Sequence, residues 1–317
     1  MLFNRVAIIG FGLIGSSIAR VIKRDGIAKE VVCVDVSVDV CKTAVKLKLC
    51  DDANTDLRKG VEGADLIILS VPVGACAKVA EDIRYSVSDD AIITDVGSVK
   101  TSVISAVSPH VPEKAHFIPA HPIAGTEFSG PEAGFAELFE NRWCIITPLP
   151  DTDIQAVEKV TKLWECCGSK IEIMDHQRHD LILGITSHLP HLIAYTIVGT
   201  ATDLEDDIMD DVIKFSASGF RDFTRIAASD PVMWRDVFLN NKEAVLEVLQ
   251  RFNEDLTALQ RAIRKGDSDF LETTFTKTRN IRRQVIEAGQ ARYATPSGQR
   301  EDMPVEAGQQ KASGSAR

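Results

Sequence analysis

The stretch from Val6 to Asp35 limits the first half of the chain to one architecture. Four apolar residues, Val6-Ala-Ile-Ile9, run into Gly10-Phe-Gly12-Leu-Ile-Gly15. A helix-like segment follows to about Lys23, and a second apolar run, Val31–Val34, ends on Asp35. Strand, glycine turn, helix and strand in that order make a βαβ unit that binds a dinucleotide. Gly10 permits the tight turn, Gly12 lets a pyrophosphate approach the backbone, and Gly15 lets the helix pack closely on the sheet. The first helical residues, Leu13 and Ile14, then present free amides to the phosphates. An acidic residue about 20 positions beyond the last glycine accepts hydrogen bonds from the adenosine ribose, and Asp35 occupies that place. Its charge would repel a 2'-phosphate, and Val36 and Ser37 supply no arginine to offset it, so the expected cofactor is NAD rather than NADP.

Beyond this unit strand and helix signals alternate. Strands are predicted at Leu66–Leu69, Ala91–Thr94 and His116–Pro119, with helices near 73–86 and 99–107 between them. Further strands are predicted at Trp143–Thr147 and Lys170–Ile173 around a helix near 152–167. Such alternation predicts a mostly parallel, doubly wound α/β sheet, a Rossmann domain over residues 1–174. From Asp175 the period changes to 3.6 residues, predicting helices at about 175–203, 205–217, 231–240, 241–265 and 267–289 and an all-α domain over 175–290. The first of these helices is apolar on more than one side (Leu181, Leu183, Ile185, Leu189, Leu192, Ile197), which predicts burial between domains or across a dimer axis. Residues 291–317, rich in Gly, Ser, Gln, Ala and Pro, read as a disordered tail.

Composition narrows the partners. A formal net charge of −10, without a dense basic cluster, argues against nucleic acid and leaves small molecules. The seven cysteines are scattered with no CxxC spacing, which suggests reduced thiols and neither a zinc site nor a disulfide framework. The first strand begins within a few residues of Met1, and no uninterrupted apolar run reaches about 18 residues, so a soluble, cytoplasmic protein without a membrane partner is expected.

In open α/β sheets ligands lie beyond the carboxyl ends of strands. Three segments fall there: Ser70-Val71-Pro72, expected to line the cofactor; Asp95-Val-Gly-Ser98-Val-Lys100; and His121-Pro-Ile-Ala-Gly125-Thr126-Glu127. His121, in a loop stiffened by Pro122, could take a proton from a substrate hydroxyl as hydride leaves the adjoining carbon, or could merely cap a helix. Asp180, Gly184, His188 and His191 share one stripe of the long helix, which Pro190 should kink. Metal binding, burial in an interface and substrate binding all remain open for that stripe, and no metal site is predicted. Arg221 and Arg225 share a face and could fork onto a carboxylate, unless they form a solvated turn with Asp222.

Together, GFGLIGSS near the start, DVGSVK at 95–100, HPIAGTE at 121–127, SHLPH at 187–191, FRDFTRIA at 220–227 and Met233-Trp-Arg-Asp236 resemble the prephenate dehydrogenase family over roughly residues 4–290. The resemblance implies NAD-dependent oxidative decarboxylation of prephenate or arogenate by a homodimer joined through the helical domain. It makes His121 the catalytic histidine, with Ser98 orienting it. Thr126, His191 and Arg225 would line the substrate pocket, with Glu127, Asp222 and Arg221 as its charged rim. It also implies a monofunctional enzyme, because the residues after the last helix cannot hold a mutase or a regulatory domain. Two other readings compete. The β-hydroxyacid dehydrogenases use a lysine on the long helix, but no lysine occurs between Lys170 and Lys214; a non-catalytic NAD sensor would need neither the histidine nor the arginine.

Overall fold

The computed structural model describes residues 1–126, 128–202, 211, 214–215 and 217–287. Glu127, most of the predicted helix at 205–217, and the tail at 291–317 lie outside the described residues. The chain divides into two compact units, Met1–Thr257 and Ala258–Arg317.

The first unit is built on a six-stranded parallel sheet in the order β3-β2-β1-β4-β5-β6, with β1 at Phe3–Ile9, β2 at Ala28–Val34, β3 at Asp52–Asn54, β4 at Leu66–Leu69, β5 at Ile92–Asp95 and β6 at His116–Ile118. Its middle strands read as unbroken apolar runs because both faces are covered, and Val6–Ile9 and Leu66–Leu69 are all buried. Helices α1 (Leu13–Asp25), α2 (Val38–Lys46), α3 (Leu57–Val61), α4 (Cys76–Ile83) and α5 (Thr101–Val107) connect the strands.

The strands after β6 depart from expectation. Ala120–Pro122 (β7), Trp143–Ile146 (β8) and Lys170–Ile173 (β9) form a separate three-stranded sheet. Within it β7 runs antiparallel to β8, with His121 opposite Ile145. His121 is therefore a strand residue, not a loop residue. The run His116–Pro122 was too short and too interrupted by proline to reveal that it serves two sheets. Helix α6 (Ile154–Cys166), capped by Asp153 through Ala156 N–H at 2.8 Å, links β8 to β9.

Asp175 caps the next helix through the amides of Gln177 (2.8 Å) and Arg178 (3.1 Å). That helix runs as α7 (His176–Leu183), a π-turn at Gly184–His188, and α8 (Leu189–Thr202). At the π-turn, Leu189 N–H donates to the Gly184 carbonyl five residues back. Pro190, which has no N–H to donate, follows directly. By length and composition His176–Ala201 could cross a membrane. What interrupts its apolar sequence, His179, Asp180 and His188, is its buried polar face. Of its apolar residues Leu183 and Ala194 are buried, whereas Leu181, Ile185 and Ile197 are exposed on the single chain.

Helix α9 (Ser218–Thr224) leads to a 3-10 turn at Arg225–Ala228. Helix α10 (Pro231–Asn240) falls where a helix at about 231–240 was expected and starts with Asp230 as its cap and proline in its first turn, and α11 (Lys242–Lys265) follows. The second unit holds the end of α11 and helix α12 (Ser268–Glu287). There the Asp267 carboxylate accepts from Phe270 N–H at 3.1 Å.

Candidate active site

The turn after β1 forms a cradle. Gly10 has φ +88°, and a Cβ on it would sit 2.3 Å from the Ser70 carbonyl oxygen; one on Gly15 would sit 2.2 Å from the Gly10 carbonyl oxygen. At Gly12 nothing lies within 4 Å, so the amide-bearing start of α1 opens onto clear space. Ser70 N–H donates to the Ile9 carbonyl at 2.7 Å, which lays Ser70 and Val71 along the glycine turn, with Pro72 exposed beyond them. Leu13 is buried and Ile14 half-buried. Asp35 ends β2 with one carboxylate oxygen accepting from Phe11 N–H and the other from Ser37 N–H, both at 2.9 Å. The free space at Gly12, the start of α1 behind it and the carboxylate at the ribose position fit a dinucleotide.

The His121 strand is held by a buried clamp. Asp95 and Lys100 form an ion pair with both side chains fully buried. The Lys100 ammonium also donates to the Ala120 carbonyl at 2.7 Å, and Asp95 accepts from Ala120 N–H at 3.2 Å and from Gly97 N–H at 2.8 Å. Every polar group of the pair thus has a partner, which a buried charge pair requires.

His121 itself is 8 % exposed. Its Nδ1 lies 2.9 Å from His179 Nε2, and His179 Nδ1 lies 2.8 Å from an Asp180 carboxylate oxygen. The Asp180 carboxylate also accepts from Lys100 N–H and Thr101 N–H, each at 2.8 Å. The side chain hydrogen-bonded to the His121 ring is therefore His179, where the resemblance assigned orientation to Ser98. Ser98 is half-buried between Asp95 and Lys100, and its main chain faces His188. Burial, reinforced by His179, Lys100 and His188, holds the His121 imidazole well below its ordinary pKa. Burial also lowers His179. For Asp180 burial pushes upward, but hydrogen bonds from His179, Thr101 and Lys100 outweigh it and hold the carboxyl below the usual range.

His188 is fully buried, and burial lowers its pKa to about 4. Asn241 Nδ2 donates to the Asp180 carbonyl and to His188 Nδ1, both at 2.9 Å. His191 stacks on Trp234 with ring centroids 3.6 Å apart, and its Nδ1–H donates to the Ser187 carbonyl at 2.8 Å. Arg225 lies within electrostatic reach of His191. Tyr195 ties the turn that carries it to α8 by donating to the Ser229 carbonyl at 2.9 Å. Thr126 is half-buried and accepts from Phe128 N–H at 3.3 Å. Arg221 and Asp222 are both strongly exposed and 4.0 Å apart. The structure thus brings His121 against His179, sets His191 on Trp234 within electrostatic reach of Arg225, and leaves Arg221 and Asp222 exposed.

Participants that were not among the predicted site residues include His179, Asp180, Asp95, Lys100, Trp234 and Asn241. A histidine-aspartate pair opening a helix just after an aspartate cap was the available signal for His179 and Asp180. Lys100 and Trp234 lay inside quoted motifs without a task, and Asn241 had no sequence signal.

A glycine-lined dinucleotide cradle with a buried imidazole at the end of the neighbouring strands is the arrangement of a nicotinamide-dependent dehydrogenase. Two family models match: "Prephenate dehydrogenase, nucleotide-binding domain" over residues 18–173 and "Prephenate dehydrogenase, dimerization domain" over residues 175–277. A cyclohexadienyl dehydrogenase of Zymomonas mobilis is 42% identical over 287 residues, spanning 88% of this chain and 95% of that one. A crystal structure of prephenate dehydrogenase from A. aeolicus, in complex with hydroxyphenyl propionate and NAD+, superposes with a TM-score of 0.82 at 34% identity, covering 89% of this chain and 98% of the other. A Synechocystis arogenate dehydrogenase superposes with a TM-score of 0.74 at 28% identity, covering 88% and 99%. The chain belongs to the prephenate dehydrogenase family.

Proposed function

We propose that this chain catalyses the NAD-dependent oxidative decarboxylation of prephenate to 4-hydroxyphenylpyruvate, with His121 as the proton acceptor. The observation that carries the assignment is the buried imidazole of His121, lowered in pKa and hydrogen-bonded through Nδ1 to His179. When bound, NAD supplies the hydride acceptor. Gly10, Gly12, Leu13, Ile14, Gly15, Asp35, Ser70, Val71 and Pro72 would hold it.

His121 accepts the proton of the C4 hydroxyl as the C4 hydrogen leaves with its bonding pair as hydride. The electron pair of the breaking carboxylate bond completes the aromatic ring, carbon dioxide departs, and His121 returns the proton to the phenolate oxygen. Ser98 helps orient the hydroxyl against His121. Arg225 grips a substrate carboxylate, for which a planar guanidinium is suited. Thr126 and His191 line the pocket, and Glu127, Arg221 and Asp222 form its rim. Residues 1–174 supply the cofactor half and 175–290 the substrate half. Leu181, Ile185 and Ile197, exposed on one chain, would be covered in a homodimer.

Because burial keeps His121 neutral, kcat/KM stays level through neutral pH and falls only well below the ordinary imidazole range. Replacing His121 with Asn lowers turnover by about 10² to 10⁴-fold if it is the base; unchanged turnover removes it from this role. Steady-state kinetics with prephenate and arogenate, each with NAD and NADP, test the substrate and cofactor assignments directly.

One observation favours arogenate as a second substrate. With Nδ1–H given to the Ser187 carbonyl, neutral His191 offers Nε2 only as an acceptor. An acceptor suits the ammonium group of arogenate; the keto group of prephenate needs a donor, which His191 becomes only when protonated.

A further inference from the structure

The buried row His121–His179–Asp180 settles which nitrogen of His121 carries a proton. Asp180 accepts two main-chain amides, and its lowered pKa keeps it ionised, so it can only accept from His179 Nδ1. Neutral His179, with its proton on Nδ1, has a bare Nε2. His121 must therefore place its own proton on Nδ1 to fill the 2.9 Å contact. Its Nε2 is left with a free lone pair. The geometry is specific, because His179 is 0 % and Asp180 5 % exposed, and water does not substitute for either partner.

We propose that His179 and Asp180 act as a positioning relay that fixes the tautomer of His121, so that Nε2 meets the substrate hydroxyl unprotonated. This rests on the reading of His121 as the base. When the hydroxyl proton arrives at Nε2, the resulting imidazolium keeps its Nδ1–H on His179, and the Asp180 carboxylate lies one ring away to balance the charge. The protons stay where they are along the row; one bond to hydrogen forms at Nε2 and one breaks at the substrate oxygen. Other groups facing His121 are Lys100 and Asp95 from the β5–α5 connection, Cys144 from β8 and His188 from the π-turn. Lys100 opposes the imidazolium, and its pairing with Asp95 moderates that opposition.

The relay is tested in the full-length protein labelled with ¹⁵N, by long-range proton-nitrogen spectra of the histidine rings in the absence of substrate. His121, assigned by its loss in His121→Asn, is expected to show a protonated Nδ1 and a bare Nε2 at pH 7.5. In Asp180→Asn one carboxylate oxygen becomes an amide donor, and where it takes the Oδ1 place shared by His179 and Lys100 N–H it donates to His179 Nδ1. That reverses His179 and then His121, and kcat falls by about 10² to 10⁴-fold, as a wrong tautomer does in hydrolases with an Asp–His pair. His179→Gln keeps an acceptor near the position of Nε2 and should retain the His121 tautomer and kcat within about tenfold of wild type, whereas His179→Ala should lose both. A folded Asp180→Asn protein in which the same spectra show His179 reversed while the His121 tautomer is unchanged and kcat is within threefold of wild type overturns the proposal, as does a wild-type His121 protonated on Nε2, whether or not that variant folds. The expected tautomer together with full turnover by His121→Asn would sink the base assignment and leave the relay standing.

Discussion

His188 gives a stability prediction with a magnitude. Its imidazole is fully buried, Nδ1 accepts from Asn241, Nε2 has no hydrogen-bond partner of good geometry, and burial lowers its pKa to about 4. In the unfolded chain the same ring titrates near 6.5, as an ordinary histidine does. Between those two values the unfolded state binds a proton that the folded state refuses, so stability decreases as pH falls. The interval corresponds to about 3 kcal/mol, fully present above the unfolded pKa and lost as pH drops through about 4. His188→Asn removes the titration while its Oδ1 remains near the position of Nδ1 to accept from Asn241. Urea unfolding can be followed by tryptophan fluorescence, since Trp234 lies edge-on to His188 at 6.1 Å between ring centroids. The wild-type advantage over the variant should shrink by about 3 kcal/mol between pH 7 and pH 4. An advantage constant to within about 1 kcal/mol over that range would mean that His188 is charged or solvated in the native state.

Two further outcomes follow from other groups. Lowering the pH toward the depressed pKa of His191 protonates Nε2, so kcat/KM for prephenate should rise relative to that for arogenate; a ratio independent of pH in wild type and in His191→Asn alike removes His191 from side-chain recognition. Lys100→Met leaves the Asp95 carboxylate buried without its cation and should cost about 3–5 kcal/mol in unfolding free energy, read by urea denaturation. A loss below about 1 kcal/mol would show that the pair is not buried as described.

What the sequence made legible was local and periodic. The glycine turn, α1 and β2 were readable because their constraints fall within one βαβ unit, and Leu66–Leu69, Lys170–Ile173 and Pro231–Asn240 because each is bounded by clear caps or turn residues. The edge strand Asp52–Asn54 was invisible, since three polar and small residues carry no alternation. The short strand holding His121 was missed because its pairing partner, Ile145, lies in a distant segment. The same distance hid the environment of His121. His179 is 58 residues away in sequence and Asp180 is 80 from Lys100, and nothing in either neighbourhood encodes the meeting. Family resemblance singled out His121, Arg225 and Ser98, and it gave no signal for His179, which lies against the ring.

The wide turn at Gly184–His188 has a consequence for how this helix can vary. Each residue added to or removed from an α-helix rotates everything beyond it by about 100°. The wide turn absorbs one extra residue without that rotation, so His179 and Asp180 upstream and His191 downstream keep their own neighbours along one continuous rod. Side chains along the rod can be exchanged one at a time, and one residue can be lost at the wide turn by closing it to an α-turn, whereas a second loss between Asp180 and His191 would swing His191 off the face of Trp234.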